Sequence, residues 1–249
     1  MDGMIQKIIT SSCRVCGSAN IVKNGTNRLK QQQYYCKDCG ARRVLEPKRE
    51  VKKTQRPFML KAYQERMSLR GLSRVYGMHR QSISRWIVNH VKSLPKLKDT
   101  LLPANPNDVL EYDEAWSFVL KKVNKRWLWT VMCRRTRQII AFVIGDRSET
   151  TCRRLWNRIP SEYRNCISYS DFWQAYQNVL PEEIHHAVGK ESGQVAHMER
   201  WYCTLRQRQA RYVRKTLSFS KSDAFHHMVT KWFIVDHNLA MRQLASLTL

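Results

Sequence analysis

Cys13-Arg-Val-Cys16 and Cys36-Lys-Asp-Cys39 form two pairs separated by 19 residues, the spacing at which four thiolates close a tetrahedral zinc site. Each pair is followed by a glycine, Gly17 and Gly40, which suits tight turns whose backbone N–H groups point at thiolate sulfurs. Two disulfides are the other use of four such cysteines. Nothing at the N-terminus resembles a secretory signal, and Cys133, Cys152, Cys166 and Cys203 are scattered without pairing logic. A reducing cytoplasm and a structural Zn²⁺ are therefore expected.

Carboxylates are the second set of residues with a chemistry of their own. Asp113 lies inside a strand-like run, Asp171 at the carboxyl end of another, and Glu199 near the start of a long helical stretch. Three carboxylates brought together repel one another unless hard divalent cations neutralise them, and Mg²⁺, with Mn²⁺ as a substitute, prefers such oxygen ligands. Two ions about 3.5–4 Å apart would activate an attacking water or 3′-hydroxyl and stabilise the leaving oxygen of a phosphodiester. Spacing alone does not single out this triple, since residues 101–249 hold 14 carboxylates. Glu111 shares a strand face with Asp113 and is a rival ligand, whereas Glu114 points to the Tyr112/Trp116/Phe118 face without an evident role.

The elements that must position these groups follow from local pattern. Ile21 to Gly25 and Gln33 to Cys36 read as short strands around an Asn-Gly turn, and Arg42 to Leu45 continue the pattern, giving a zinc ribbon over residues 1–47. So small a unit has little core, and metal binding would supply most of its folding free energy, about 10–16 kcal/mol in comparable peptides. A basic, proline-punctuated stretch from Glu46 to Pro57 leads into helical periodicity at Met59, Tyr63 and Met67. Gly71 to Ile87 then reads as short helix, glycine turn and second helix, a helix-turn-helix within residues 48–95. Leu72, Val75, Ile83, Trp86 and Ile87 are expected in its core. His79, Arg80, Gln81, Ser82 and Arg85 are expected to face outward, where side chains reach major-groove base edges. Taken alone, this segment also reads as a helical hairpin with a solvated face.

Residues 96–107 form a proline-containing linker, and strand-like runs follow over 108–120, 126–133 and 138–144. Helix and strand then alternate: helix 149–159, strand 166–170, helix 172–180, strand 184–188, a long helix from about 194 to 214, and a final helix 221–244. Three antiparallel strands followed by αβαβα is the order of the ribonuclease H-like fold, in which the first and fourth strands lie side by side and bring Asp113 next to Asp171. The fold class expected is thus multidomain α+β: a zinc ribbon, a helix-turn-helix and a ribonuclease H-like α/β domain over 108–249. On the long helix Met198, Trp201, Leu205 and Tyr212 make an apolar stripe flanked by Glu199. Arg206 lies two turns on, and Arg208, Arg211, Arg214 and Lys215 continue a basic surface that would receive phosphates near Glu199. For Arg208 and Arg211 a merely solvated helix face is the alternative.

The formal charge of +24 is concentrated toward the N-terminus, with 22 Lys/Arg against 6 Asp/Glu in residues 1–100 and 22 against 14 thereafter. That imbalance points to a polyanionic partner. An anionic membrane fits less well, because the basic residues are interleaved with Trp and Tyr across whole domains instead of gathering on one amphipathic helix. The longest apolar run, Ile139 to Ile144, is far too short to span a bilayer.

Asp113-Glu114-Ala115-Trp116-Ser117-Phe118-Val119, Arg126-Trp127-Leu128-Trp129, Ser170-Asp171-Phe172-Trp173-Gln174-Ala175-Tyr176, His197-Met198-Glu199-Arg200 and the Lys215–Ser222 tail together resemble the insertion-sequence-one family of bacterial transposases. The resemblance covers nearly the whole chain and implies an N-terminal zinc finger and helix-turn-helix ahead of a DDE domain, with the acidic triad carried onto Asp113, Asp171 and Glu199. The Asp171–Glu199 interval is a few residues longer than in the best-known members, and if the helix register differed, Glu191 would take the place of Glu199. Many members are made by fusing two reading frames, and this chain resembles the fused product. The resemblance implies a bacterial or archaeal, cytoplasmic, nucleoid-associated enzyme that binds terminal inverted repeats and cuts and joins DNA with Mg²⁺, acting as a homodimer or higher homo-oligomer on double-stranded element ends and target DNA. A non-catalytic regulator or domesticated transposase, and a ribonuclease H-like nuclease or resolvase, are the alternatives.

Overall fold

The computed structural model describes residues 10–45, 48–213 and 215–247. It divides into two compact units, 1–58 and 59–249, with the division falling inside the first helix. In the first unit β1 (Ile21–Thr26), β2 (Gln32–Cys36) and β3 (Arg42–Arg43) form an antiparallel sheet in that order. The expected Asn-Gly turn is not a turn. Asn24-Gly25 lies within β1 at an irregularity in the register between Lys23 and Thr26. The chain reverses instead at 27–31, where Asn27 Oδ1 accepts the N–H groups of Leu29 (2.9 Å) and Gln31 (3.0 Å) and Lys30 takes a left-handed φ of 56°. Asparagine's side chain mimics a backbone turn here, which competes with the glycine signal. Residues 1–9 of the expected ribbon and Glu46-Pro47 of the linker lie outside the described residues.

The helix-turn-helix follows α1 (Lys48–Gln64) as α2 (Leu69–Tyr76) and α3 (Arg80–Ser93). Ser68 caps α2 by accepting the Gly71 N–H at 3.0 Å, and Gly77 ends it with a φ of 60° that disfavours any side chain. Leu72, Ile83 and Ile87 are buried as expected, but Val75 is 65% exposed and stands outside the core. The space expected for it is filled from elsewhere: Met59, Tyr63, Met78 and Val91 pack with Val229 and Trp232 of α7 (Asp223–Leu247). The segments 48–95 and 108–249, expected as separate domains, thus share apolar packing, and no boundary between compact units falls at residues 96–107.

The main sheet comprises β4 (Val109–Phe118), β5 (Lys125–Cys133), β6 (Ile139–Gly145), β7 (Ile167–Ser170) and β8 (His185–Ala187), in the spatial order β6-β5-β4-β7-β8. The first three run antiparallel as successive hairpins, whereas β7 and β8 are added in parallel through crossovers containing α4 (Glu149–Trp156) and α5 (Gln174–Val179). Its two faces follow the alternation along the strands. Leu110, Tyr112, Trp129, Val131 and Val143 meet α4 and α5, while Ala115, Leu128, Met132 and Phe142 meet α6 (Ala196–Arg208) and α7. α7 is buried along two sides, giving Val229 and Trp232 to the helix-turn-helix and Phe233 and Ile234 to the sheet.

The long helix ends sooner than its sequence predicts. α6 stops at Arg208, and Ala210–Tyr212 form a separate 3₁₀ turn. The Arg208 carbonyl accepts the N–H of Arg66 at 2.7 Å, and the Gln209 side chain bonds that of Gln64, so tertiary partners replace the next helical turn.

Candidate active site

The parallel pairing of β4 with β7 sets the site. Val109 lies opposite Ile167, Leu110 opposite Ser168 and Glu111 opposite Tyr169. Two residues further along each chain come Asp113 and Asp171, at the same level on adjacent strands. Asp113 projects to the face covered by α6, and Glu199 stands exposed in the first turn of that helix. Asp113 Oδ1 accepts the Glu114 N–H at 2.7 Å, and Asp171 Oδ1 accepts the Trp173 N–H at 3.1 Å. Burial, then the negative charges of Glu114, Asp171 and Glu199, push the Asp113 carboxyl up to about 8. Among the described residues none of the three carboxylates is ion-paired. Nor do the three draw within 4.8 Å of one another as the cysteines do. Glu191, the alternative to Glu199, lies in the 3₁₀ turn Lys190–Ser192 ahead of α6 and is exposed.

The neighbouring acids are engaged differently. Glu111, read from sequence as a rival ligand, is fully buried and accepts from Arg134 Nε (2.9 Å), pairs with His197 Nδ1 (2.7 Å) and accepts the Met198 N–H (3.1 Å). It holds the N-terminus of α6 against β4, where a negative charge also suits the helix dipole. Tyr202, one turn beyond Glu199, adds a second clamp, its hydroxyl bonding the Asp113 carbonyl (2.8 Å), the Leu128 carbonyl (3.0 Å) and Thr130 Oγ1 (2.6 Å). Glu114, left without a role by the sequence, accepts from Arg147 Nε at 2.7 Å and from the Tyr176 hydroxyl at 2.8 Å. The Arg147 guanidinium is itself held between two indoles, 3.8 Å from the Trp173 ring centre and 4.7 Å from that of Trp127. Because the Trp173 N–H supports Asp171, Arg147 is one step from the acidic cluster.

The family model of the IS1 transposases matches residues 109–240, the span that contains all three carboxylates. The chain belongs to the IS1 transposase family. It is 36% identical over 129 residues to the insertion element iso-IS1n protein InsB of Shigella dysenteriae, covering 95% of that protein and 52% of this chain. It is 32% identical over 157 residues to an insertion element IS1 protein InsB of Escherichia coli, covering 92% of that protein and 61% of this chain.

Outside the matched span, this IS1-family chain carries its cysteines as a quartet. The Cys13 and Cys39 Sγ atoms are 3.6 Å apart, as are those of Cys16 and Cys36, and all four lie within 4.8 Å of one another. A disulfide requires about 2.05 Å, and all eight cysteines are free. Four sulfurs at the corners of a tetrahedron with Zn–S bonds of about 2.3 Å would stand roughly 3.8 Å apart, so the quartet fits zinc. Gly17 and Gly40 have φ of 77° and 70°, and the Val15 N–H points at Cys13 Sγ at 3.4 Å. Hydrogen bonds from the Cys16 and Val15 backbones pull the Cys13 thiol down to about 6.

Of the residues expected to meet nucleic acid, His79, Arg80, Gln81 and Arg85 are exposed at and beyond the start of α3, and Ser82 is half-buried. Among the described residues the basic face expected along the long helix is interrupted. Arg206 is half-buried on α6 over the Tyr202 ring, and Arg208 pairs with Glu65 at 2.6 Å. Arg211, in the 3₁₀ turn, is only 8% exposed, and Lys215 is exposed. Arg214 lies outside the described residues. No helix among the described residues is long and apolar enough to cross a membrane.

Proposed function

We propose that this IS1-family protein is a DDE transposase that recognises the terminal inverted repeats of an insertion sequence and catalyses cleavage and strand transfer of DNA. The observation that carries the reading is the approach of Asp113, Asp171 and Glu199 from two parallel strands and a clamped helix, with none of the three ion-paired among the described residues in a chain of net charge +24. The order β6-β5-β4-β7-β8, with the last two strands parallel, supports a ribonuclease H-like reading of the sheet. Asp113, which feels the charges of both other acids, would hold divalent ions together with Asp171 and Glu199. Bound Mg²⁺ or Mn²⁺ would supply activation of the attacking hydroxyl and neutralisation of the leaving oxygen.

The chain's own residues do the positioning. Glu111 and Tyr202 hold α6, the helix that carries Glu199, against β4, and the Trp173 N–H orients Asp171. His79, Arg80, Gln81, Ser82 and Arg85 on α3 would read base edges, and Arg206 and Lys215 would meet phosphates. The cysteine quartet would hold Zn²⁺ as the structural core of the ribbon, with residues 1–47, 48–95 and 108–249 acting as ribbon, reader and catalyst. The protein would work in the cytoplasm on double-stranded DNA as a homodimer or higher oligomer.

The test is a strand-transfer assay on a donor plasmid carrying the element ends, with purified chain and Mg²⁺. Joined donor–target products that disappear with chelator are expected. Tight, end-specific binding without any cut would instead identify a regulator, and cutting at junctions without dependence on the ends a nuclease or resolvase.

A further inference from the structure

A groove of about 980 Å³ opens where the N-termini of α2 and α3 face residues 217–222. Arg70, Arg74, Arg80, Arg211 and Lys221 line it, and no aspartate or glutamate among the described residues does. Arg211 is the unusual member. Only 8% exposed, it donates to the Ser220 hydroxyl at 2.8 Å and to the Tyr63 hydroxyl, and its guanidinium lies over the Tyr63 and Phe225 rings at 5.8 and 5.5 Å. All these partners are neutral. Ser220 passes on to His226 Nδ1 at 2.8 Å, and burial, then the Arg211 charge, hold that imidazole uncharged near physiological pH. Asp223, at the start of α7, is committed to Arg126 by two hydrogen bonds. A buried cation without a counter-ion is costly. One set at the side of an acid-free groove, with two helix N-termini opening on the same space, is relieved by an anion that enters from outside.

We propose that this groove seats the sugar-phosphate backbone of the duplex that α3 reads, with Arg211 as the buried counter-charge for one phosphodiester. The inference rests on the DNA-binding reading above and deepens it. Arg211 follows the C-terminus of α6 by three residues, and the nine steps from Glu199 to Arg208 span roughly 14 Å of that helix. A phosphate held at Arg211 is therefore tied to the element that carries Glu199, and reader and carboxylates grip one duplex from a single body. Residues 218–221, whose Ser220 holds Arg211 and whose Lys221 stands at the groove, become part of the DNA footprint.

The experiment is equilibrium binding of the full-length zinc-loaded chain to an element-end duplex and to a random duplex, from about 50 to 200 mM salt, where each lost phosphate contact lowers the log–log slope by about 0.9. Arg211→Gln, which removes the charge but leaves a polar side chain, should weaken both duplexes equally, by roughly tenfold, and flatten the slope by about one contact. Arg211→Lys should keep the slope. The free Arg211→Gln protein should melt no lower than wild type, because it no longer buries an unpaired charge. A native-like Arg211→Gln protein with an unchanged slope overturns the proposal, as does an Arg211→Lys protein that loses the slope equally. If Arg211→Gln does not fold, the double variant Arg74→Gln/Lys221→Gln carries the test, and an unaltered slope there overturns it. A wild type that binds neither duplex overturns the DNA reading itself, an outcome distinct from a wild type that binds with variants that do not differ.

Discussion

Two sets of acids surround β4, and the chain treats them oppositely. Asp108, Glu111 and Glu114 each meet an arginine, Arg135, Arg134 and Arg147, at 2.6 Å, 2.9 Å and 2.7 Å respectively. Asp113, Asp171 and Glu199 meet none among the described residues, although the sequence holds 44 Lys/Arg against 20 Asp/Glu. Where a carboxylate builds the fold, the protein neutralises it. Where three are left bare and burial with acidic neighbours pushes Asp113 toward protonation, the surrounding structure bears a cost that a divalent cation would remove. The paired acids are also what hold the bare ones in place, Glu111 through α6 and Glu114 through Arg147 and Trp173.

The largest expected effect separates the two sets outright. Asp113→Asn, Asp171→Asn and Glu199→Gln should each take strand transfer to background while end binding persists and the thermal midpoint holds or rises, since each removes a mutually repelling charge. Product formation and melting curves on the same preparations check this. Full activity in Glu199→Gln would break the comparison and move attention to Glu191.

The cysteine quartet extends the same contrast to the other compact unit, as four anion-forming groups brought within 4.8 Å of one another. Chelation, Cys16→Ser or Cys36→Ser should unfold residues 10–45, whose sheet has three short strands and little core, and remove about one zinc per chain by elemental analysis. The melting of residues 59–249, which have their own core clusters, should be little changed. Zinc-free protein with an intact ribbon by amide exchange would refute the assignment.

Much of this arrangement was legible in the sequence because it rests on local pattern. Strand-like apolar runs mark β4, β5 and β6, and an acid inside the first run, one just past a later run and one in a helix's first turn come near one another once β4 lies beside β7. What was not legible depends on distant partners. Glu111 reads as a ligand until Arg134, from beyond the end of β5, closes on it. The end of α6 has no glycine or proline to announce it, because Arg66 and the Gln64 side chain terminate it across the fold. Arg211 reads as one more surface charge until that early stop turns it inward. Val75 has the spacing of a core residue, but α7 fills the core in its place.

A smaller effect sharpens the role of the paired acids. Glu111→Gln should cost roughly 2–4 kcal/mol of stability, below the full penalty for breaking a buried pair because Arg134 is 29% exposed. Activity should fall with it, since α6 loses the anchor at its N-terminus. Denaturant titration and strand-transfer rates would establish the order. A Glu111→Gln protein of wild-type stability that loses all transfer would return Glu111 to the set of ligands.

The smallest expected effect lies at Arg147, where the two sets of acids touch. Its guanidinium is sandwiched by Trp127 and Trp173 and bonded to Glu114, with its side chain about one-third exposed. Its contacts with two indoles are worth about 1–2 kcal/mol together, and Glu114, which keeps the Tyr176 hydroxyl and is already pushed toward its neutral form by burial, limits the further loss by taking up a proton. Arg147→Ala should therefore leave a folded protein. Its effect should appear instead in transfer rate, roughly tenfold slower, because Trp173 loses the partner that steadies the loop whose backbone N–H orients Asp171. Arg147→Lys keeps the charge near Glu114 but not the planar stacking, so it should recover stability more fully than rate. The comparison is made by pairing transfer rates with the melting temperatures of the two variants. Equal recovery of both by lysine would make Arg147 a simple counter-ion, and Glu114 would then belong wholly with the acids that build the fold.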